Sequence, residues 1–415
     1  MKNFILGLLI LNFQISIAQN RIEIEKNANA GDSNAQYELA ELLKKYDSSI
    51  TDKKQAFKWA MKSAKQGHEK AQNLLGQFYA YEPEVIEKDL QKATYWFEKS
   101  SKQNYCEAYN SLGWLYSDEL KGAENLQIAL DWFQKGIELN CLSTMEALGS
   151  TYLNDERLPN RLKTGLMWLE KAANLGSIDT QNSLGWLYEY PEYSSEGLNL
   201  KQDITKAVYW YKKAAENNDI FSMYSLANLL GDENQEKVYN IQKANSWYKK
   251  AADLDYDSSQ YQYGLNAFNG NGMEKNIDEG LKYLRLAGHN NNYLAQEALG
   301  IIYCSGLNIE KDTQVGWYWL DKLINNKDSF AKSSVVDLAE KHLAKNTLFS
   351  MDLYKKAALK GNAIAQNNLG VIYLNGKIVT QDINEAIRWL NMAISNGNEI
   401  AKENLQIAES ISKLN

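Results

Sequence analysis

Small and large apolar residues follow a pattern along this chain that returns about every 36 residues. In the first part of each interval, an alanine, a leucine and a large residue, usually tyrosine, stand four positions apart, and glycine often follows the leucine. Residues with this spacing lie on one face of a helix, so the pattern predicts an amphipathic helix, here called helix A. The leucine position holds, in order, Leu39, Leu75, Leu112, Leu148, Leu184, Leu226, Tyr263, Leu299 and Leu369.

The second part of each interval predicts another helix, here called helix B. It carries an alanine, two further residues, an aromatic residue and then two small residues, as in "KAVYWYKKAAE" at Lys206–Glu216. Because small residues and one large ring complement the apolar face of helix A, we expect these rings to lie in the core. The aromatic position holds, in order, Trp59, Trp96, Trp132, Trp168, Trp210, Trp247, Tyr283, Trp319, Tyr354 and Trp389.

Residues that break helices lie where a two-helix repeat requires them. All three prolines, Pro83, Pro159 and Pro191, fall between a helix A and the following helix B. Glycine or asparagine ends several B helices, as in "KAANLGS" and "KAALKGN". The glycine after the helix A leucine costs about 1 kcal/mol of helix propensity. We interpret it as a position where a neighbouring helix approaches closely.

The repeats predict an all-α protein in which neighbouring hairpins stack, since one hairpin cannot bury its apolar face alone. Ten hairpins occupy residues 33–399, and the hairpin around 331–361 lacks the leucine–glycine pair. Residues 19–32 and 400–415 resemble half-repeats, which we expect to form capping helices at the two ends.

The first 18 residues predict a secretory signal peptide. Lys2 is followed by an apolar run that ends near Ile17, and the small residues Ser16 and Ala18 suit cleavage after position 18. The run is too short and too interrupted to span a membrane well. We therefore expect an exported protein with no stable membrane span after cleavage.

Charge and cysteine content narrow the possible partners and the redox state. The formal net charge is −7 and no basic cluster stands out, so nucleic acid is not expected as a partner. Cys106 and Cys141 occupy near-equivalent points of neighbouring repeats, and Cys304 is the third cysteine. A disulfide needs Cα atoms within about 7 Å, whereas packed helices lie about 8–10 Å apart. This spacing favours free thiols, and a Cys106–Cys141 bridge stays an alternative.

The repeats resemble those of the Sel-1-like repeat (SLR) family, which is related to tetratricopeptide repeat proteins. The best copies are "YGLNAFNGNGMEKNIDEGLKYLRLAG" at Tyr263–Gly288 and "LGVIYLNGKIVTQDINEAIRWLNMA" at Leu369–Ala393. The resemblance implies a right-handed α/α superhelical solenoid whose role is to hold partner proteins in signalling, envelope or secretion assemblies. Together with the signal peptide it implies a Gram-negative bacterial protein, either periplasmic or secreted.

The sequence "NSLGWLY" occurs at Asn110–Tyr116 and again at Asn182–Tyr188, and it places a tryptophan outside helix B. In tetratricopeptide-like solenoids, the face of helix A away from helix B lines a concave groove. Counting from the helix A alanine, we expect positions 3 and 7 on that face. The candidate partner-binding residues are Trp114, Trp186, Asn110, Asn182, Ser150, Tyr224 and Tyr261.

Two kinds of ligand suit these side chains. Tryptophan and tyrosine are common anchors of protein or peptide partners, which is our leading interpretation. Asparagine beside an indole would also suit a cell-wall glycan or another saccharide. A packing role remains a third alternative, because Leu265, Ile301 and Val371 occupy position 7 in other repeats.

No catalytic, metal or cofactor site is evident in the sequence. It lacks His-Glu-x-x-His, Cys/His ligand spacing, a phosphate loop and Gly-x-Ser-x-Gly. Ser-x-x-Lys at Ser246–Lys249, Ser329–Lys332 and Ser410–Lys413, with Lys-Thr-Gly at Lys163–Gly165, offers a distant penicillin-binding alternative. The Ser-Asp-Asn partner of those motifs is missing, so we predict a non-enzymatic protein without a cofactor.

Overall fold

The computed structural model describes residues 21–45, 48–120, 122–195 and 198–413, and all regular structure in these ranges is helical. The chain divides into two compact units, Met1–Trp210 and Tyr211–Asn415. Each unit repeats one arrangement, in which a helix A packs against the helix B that follows it.

Within its described residues, unit 1 starts with α1 at residues 21–29 and contains the first four complete hairpins. A π-helical turn at Leu115–Glu119 follows α6, and a short 3₁₀ turn at Pro191–Tyr193 follows α10. The remaining helices are α2 (Ser33–Leu43), α3 (Ile50–Lys65), α4 (Glu69–Tyr81), α5 (Leu90–Ser101), α6 (Cys106–Trp114), α7 (Ala123–Glu138), α8 (Leu142–Asn154), α9 (Arg161–Asn174), α10 (Ile178–Glu189) and α11 (Ile204–Glu216), which crosses the unit boundary.

Unit 2 contains five further hairpins and a final single helix. Its helices are α12 (Ile220–Gly231), α13 (Ile241–Asp253), α14 (Asp257–Asn269), α15 (Ile277–His289), α16 (Tyr293–Ser305), α17 (Thr313–Ile324), α18 (Ser329–Leu343), α19 (Thr347–Leu359), α20 (Ala363–Asn375), α21 (Ile383–Ser395) and α22 (Ile400–Ser412). The degenerate hairpin is α18–α19, where three residues replace the usual longer connection.

The helices end where the sequence predicts. The three prolines lie between helix A and helix B of their repeats. The turns after the B helices other than α17 contain a residue with positive φ, which only glycine adopts freely and asparagine and aspartate tolerate. These residues include Gly31, Gly67, Asn104, Asn140, Gly176, Asn218, Asp255, Asn291, Gly361 and Gly397.

The predicted core positions of helix A are buried. Leu75, Leu112, Leu184 and Leu299 have no exposed surface, and the other members of the series are less than a tenth exposed. The residue that follows the helix B aromatic packs directly against the glycine that follows the helix A leucine. A Cβ on Gly370 would lie 2.6 Å from Leu390 Cγ. Close approach of helix B is therefore confirmed as the reason for this glycine.

The expectation that all helix B aromatic rings lie in the core is wrong for part of the series. Trp96, Trp210 and Trp319 are buried, but Trp132 is half-exposed. The buried position beside it belongs to Phe133, the next residue, and the Lys135 ammonium lies 4.0 Å from the Trp132 ring centre. The other half-exposed members are Trp59, Trp168 and Trp247.

The cysteines differ from the expectation of free thiols. Cys106 and Cys141 form a disulfide, with their Cα atoms 5.4 Å apart. Cys106 is the first residue of α6 and Cys141 directly precedes α8, so the bond joins the starts of two packed A helices. The spacing of 8–10 Å applies to helix axes and does not limit their ends. Cys304 is half-buried, and burial raises the pKa of its thiol.

The predicted end segments are described in part. The signal peptide at residues 1–18 lies outside the described residues, and α1 lies within the predicted capping segment 19–32. At the other end, α22 packs against α20 and α21 and buries Ala401 and Ala408. Within the described part of the chain, no helix is both long enough and apolar enough to cross a membrane.

Candidate partner-binding surface

Trp114 combines a packing role with access to solvent. It ends α6 and is half-buried, with its ring edge-to-face against Phe133 at a centroid distance of 5.8 Å. The π-helical turn that follows it widens the backbone, and such turns are frequent at functional sites. The indole also lines an open cavity of about 340 Å³.

This cavity, here called the Trp114 pocket, is acidic. Its other lining residues are Ser117, Asp118, Thr151, Asn154, Asp155, Glu156 and Arg157. Arg157 Nε donates to Asp155 Oδ1 at 2.8 Å, and this contact holds the pKa of the Asp155 carboxyl below its usual value. Three carboxylates and one guanidinium leave a formal charge of −2 in the lining.

Trp186 is more exposed and belongs to a group of three rings. It is 42% exposed, and its ring centre lies 6.1 Å from that of Tyr190 and 5.9 Å from that of Tyr193. Tyr190 and Tyr193 are 38% and 70% exposed and lie 6.2 Å apart. We call these three residues the aromatic cluster.

Two carboxylates lie beside the aromatic cluster. A hydrogen bond to the Glu189 carboxylate raises the pKa of Tyr190 to about 12, with smaller contributions from burial and from the charge of Glu192. Ser195 Oγ donates to Asn154 Oδ1 at 2.6 Å, and Asn154 also lines the Trp114 pocket. The loop that follows the aromatic cluster therefore reaches the end of α8, so the pocket and the cluster adjoin within unit 1.

The polar candidates in unit 1 are placed less uniformly. Asn110, Asn182 and Ser150 are all half-buried. Asn110 Oδ1 is enclosed and has no hydrogen-bond partner among the described residues. The equivalent of the asparagines in the intervening repeat is Glu146, which accepts a hydrogen bond from Thr180 Oγ1 of the next repeat at 2.5 Å. Position 3 of helix A can thus join neighbouring repeats.

Tyr224 and Tyr261 belong to unit 2 and lie in aromatic surroundings of their own. The Tyr224 ring lies 5.2 Å from that of Tyr256, which in turn contacts Phe221 at 5.6 Å. Burial raises the pKa of Tyr261, and the charge of Glu297 adds to the shift. Both tyrosines are half-buried, whereas Phe221 is 63% exposed.

Sequence reasoning missed Tyr190, Tyr193 and the acidic wall of the pocket. The signal for the two tyrosines was "YEYPEY", which follows the second "NSLGWLY" directly. The acidic wall comes from a π turn and from the next repeat. Its assembly depends on the path of two loops, which the repeat pattern does not specify.

Residues of these serine and lysine motifs make structural contacts. Ser246 Oγ donates to the Lys243 carbonyl at 2.7 Å, while Lys249 Nζ donates to Glu279 at 2.8 Å. A Cβ on Gly165 would lie 2.6 Å from Leu153, so this glycine belongs to helix packing. No group of three His, Cys, Asp or Glu side chains suited to a metal occurs among the described residues.

Comparison with known proteins agrees with this architecture. Two similar structures are a protective antigen of uropathogenic Escherichia coli with an SLR fold and a Sel1 repeat protein from Oxalobacter formigenes. The first is 23% identical with a TM-score of 0.52 and covers 93% of this chain and 81% of its own. The second is 22% identical with a TM-score of 0.54 and covers 75% of this chain and 89% of its own. At this identity they show the fold alone.

The sequence itself identifies the family. A comparison with curated proteins finds no match. The Sel1 repeat profile, in contrast, matches ten times, at residues 33–68, 69–105, 106–141, 144–177, 178–219, 220–256, 257–292, 294–328, 342–362 and 363–398. These matches cover most of the chain and follow the helix pairs, with a shortened match at the degenerate hairpin. The chain therefore belongs to the Sel1 repeat family and folds as an all-α solenoid of about ten repeats.

Proposed function

We propose that this protein is an exported, non-enzymatic scaffold that binds a protein or peptide partner through the Trp114 pocket and the aromatic cluster. Sel1 repeat proteins are generally non-catalytic scaffolds that bind other proteins. The observation that carries the proposal is the exposure of Trp186 beside Tyr190 and Tyr193.

The energetics of protein interfaces support this assignment. Tryptophan and tyrosine supply large contact areas at low entropic cost and dominate the binding energy of many interfaces. Contiguous exposed apolar patches on soluble proteins commonly mark interaction sites. Trp114 adds a pocket wall in the neighbouring repeats, so the surface offers a partner both a protruding cluster and a recess.

Export is supported by two observations. Residues 1–18 have the composition of a cleavable signal peptide. The Cys106–Cys141 disulfide suits an oxidising compartment, because cytosolic thiols are normally kept reduced. We place the protein in the periplasm of a Gram-negative bacterium or outside the cell.

A cell-wall glycan or another saccharide is the second candidate ligand. The observation that favours it is the amide and hydroxyl pair of Asn154 and Ser195 close to exposed aromatic rings. Indole faces stack on sugar rings, and amides pair with sugar hydroxyls.

The experiment is a pull-down from the native envelope fraction with residues 19–415 as bait. Wild type runs beside the Trp114→Ala/Trp186→Ala variant and a Tyr95→Ala control, whose ring is 51% exposed on α5. Circular dichroism confirms that all three are folded. A partner recovered by wild type and the control but lost from the double variant supports the proposal. Equal recovery by all three contradicts it, and retention on peptidoglycan alone favours the glycan candidate.

A further inference from the structure

The partner's chemistry can be inferred from the charges and rings of the binding surface. We propose that the Trp114 pocket and the aromatic cluster bind lysine or arginine side chains, so that the partner is a basic protein segment. This inference rests on the proposed function and names the chemical class of the partner.

The rings of the aromatic cluster can attract a cation. Three aromatic rings lie with their centres 5.9–6.2 Å apart, and their residues are 38–70% exposed. A cation above an aromatic face is attracted by its negative quadrupole, most strongly over tryptophan. The rings of Trp186, Tyr190 and Tyr193 can therefore share one ammonium or guanidinium group between them.

Negative charges lie beside the aromatic cluster. Glu189 accepts a hydrogen bond from Tyr190, and Glu192 lies in the same short turn. Both carboxylates oppose ionisation of the tyrosine, so they place a negative field at Tyr190. Such a field attracts cations and repels acidic segments.

The Trp114 pocket can bind a second cation. Its lining has a formal charge of −2 and already holds the Arg157 guanidinium against Asp155. Asp118 and Glu156 add two further carboxylates to the same lining. A cavity of about 340 Å³ with an indole wall thus offers a second cation both carboxylates and an aromatic face.

The half-exposed tryptophans of helix B differ from Trp114 and Trp186 because lysines of the chain lie over their rings. Lys62 lies over Trp59, Lys135 over Trp132 and Lys171 over Trp168, at 3.9–4.8 Å from the ring centres. No lysine or arginine of the described residues lies over Trp114 or Trp186. The chain covers its other half-exposed indoles with its own cations and leaves these two available to a partner.

The test uses the full mature chain and synthetic peptides. Hexalysine and hexaglutamate are titrated by calorimetry and by tryptophan fluorescence. We expect saturable binding of hexalysine and none of hexaglutamate. Two variants, Trp186→Ala/Tyr193→Ala and Asp118→Asn/Glu156→Gln, should each weaken hexalysine binding about tenfold, the loss expected for one desolvated cation–π or ionic contact.

A charge-matched control separates a built site from general attraction by an acidic protein. Glu274→Gln/Asp278→Asn removes the same charge from an exposed part of unit 2 and should leave binding unchanged. Equal weakening by this control, or equal binding of both peptides, would overturn the inference. If hexalysine fails to bind while the envelope partner is still lost from Trp114→Ala/Trp186→Ala, this inference falls and the proposed function stands. If hexalysine fails to bind and the double variant recovers the same envelope partner as wild type, both the inference and the proposed function are overturned.

Discussion

The ring of Phe97 fills the space that a side chain on Gly76 would occupy. A Cβ on Gly76 would lie 2.5 Å from Phe97 Cε1 and 2.6 Å from Cδ1, and Phe97 is fully buried. The same relationship joins Gly300 with Leu320 and Gly370 with Leu390 in unit 2. The glycine of helix A is therefore a packing requirement of the hairpin.

We predict that Gly76→Ala destabilises the protein although alanine is the better helix former. Overpacking a filled core typically costs about 1–3 kcal/mol, which exceeds the gain of about 1 kcal/mol in propensity. The free energy of unfolding in urea measures the difference. Gly231→Ala is the matched control, because its new Cβ would lie 3.5 Å from Ala244 Cβ, an ordinary contact. Equal stability of Gly76→Ala and Gly231→Ala would contradict this packing account.

The disulfide is expected to stabilise unit 1. Cys106 and Cys141 are 35 residues apart, and closing a loop of this length contributes about 3–4 kcal/mol in the chain-entropy model. Reduction, or Cys141→Ser, should therefore lower the denaturation midpoint of unit 1. Cys304→Ser should change it far less, since that thiol is unbonded. A midpoint insensitive to reductant would count against the bond.

Alkaline stability should reflect the buried tyrosines. Burial raises the pKa of Tyr354 to about 12 from 10.0, so the folded state holds this proton more tightly than the unfolded state. The resulting stabilisation is present below pH 10 and is lost as pH rises from about 10 to 12. Tyrosinate absorbance, followed with circular dichroism, measures it. Tyr354→Phe should remove one tyrosine's share of the absorbance that titrates late, because other tyrosines such as Tyr190 also have raised pKa values. Complete ionisation near pH 10 in a folded protein would refute the shift.

Processing of the signal peptide is expected to leave Gln19 as the first residue. Small residues at Ser16 and Ala18 suit the peptidase, so Ala18→Arg should block cleavage, whereas Ile17→Gln should permit it. The mass of the intact protein from the envelope and the culture medium, measured by mass spectrometry, identifies the first residue. Wild-type protein that keeps Met1 and stays in the cytosol would rule out export.

The repeat architecture was predictable because it depends on local periodicity. The spacing of Leu75, Leu112 and Leu148 specifies which helix face is buried, whatever the neighbouring helices do. Proline and glycine end the helices through steric effects on the backbone, and these effects act within a few residues. Helix pairs, core leucines and the role of the glycine could therefore be read from the sequence.

The binding surface depended on information that periodicity lacks. The two copies of "NSLGWLY" leave Trp114 half-buried and Trp186 42% exposed. A π turn follows the first copy, whereas a 3₁₀ turn follows the second. A prediction of the Cys106–Cys141 bond would have required the relative positions of two helix ends. Neither loop path nor helix-end geometry is encoded in the 36-residue pattern.

Site-specific photo-crosslinking in the native cell can show whether a partner protein binds at the aromatic cluster. A photoreactive phenylalanine analogue replaces Trp186 in one strain and Tyr95 in another; both rings are exposed in unit 1. We expect a specific protein adduct from position 186 and none from position 95. Adducts from position 95 alone, or identical adducts from both positions, would contradict a partner-binding surface at the aromatic cluster.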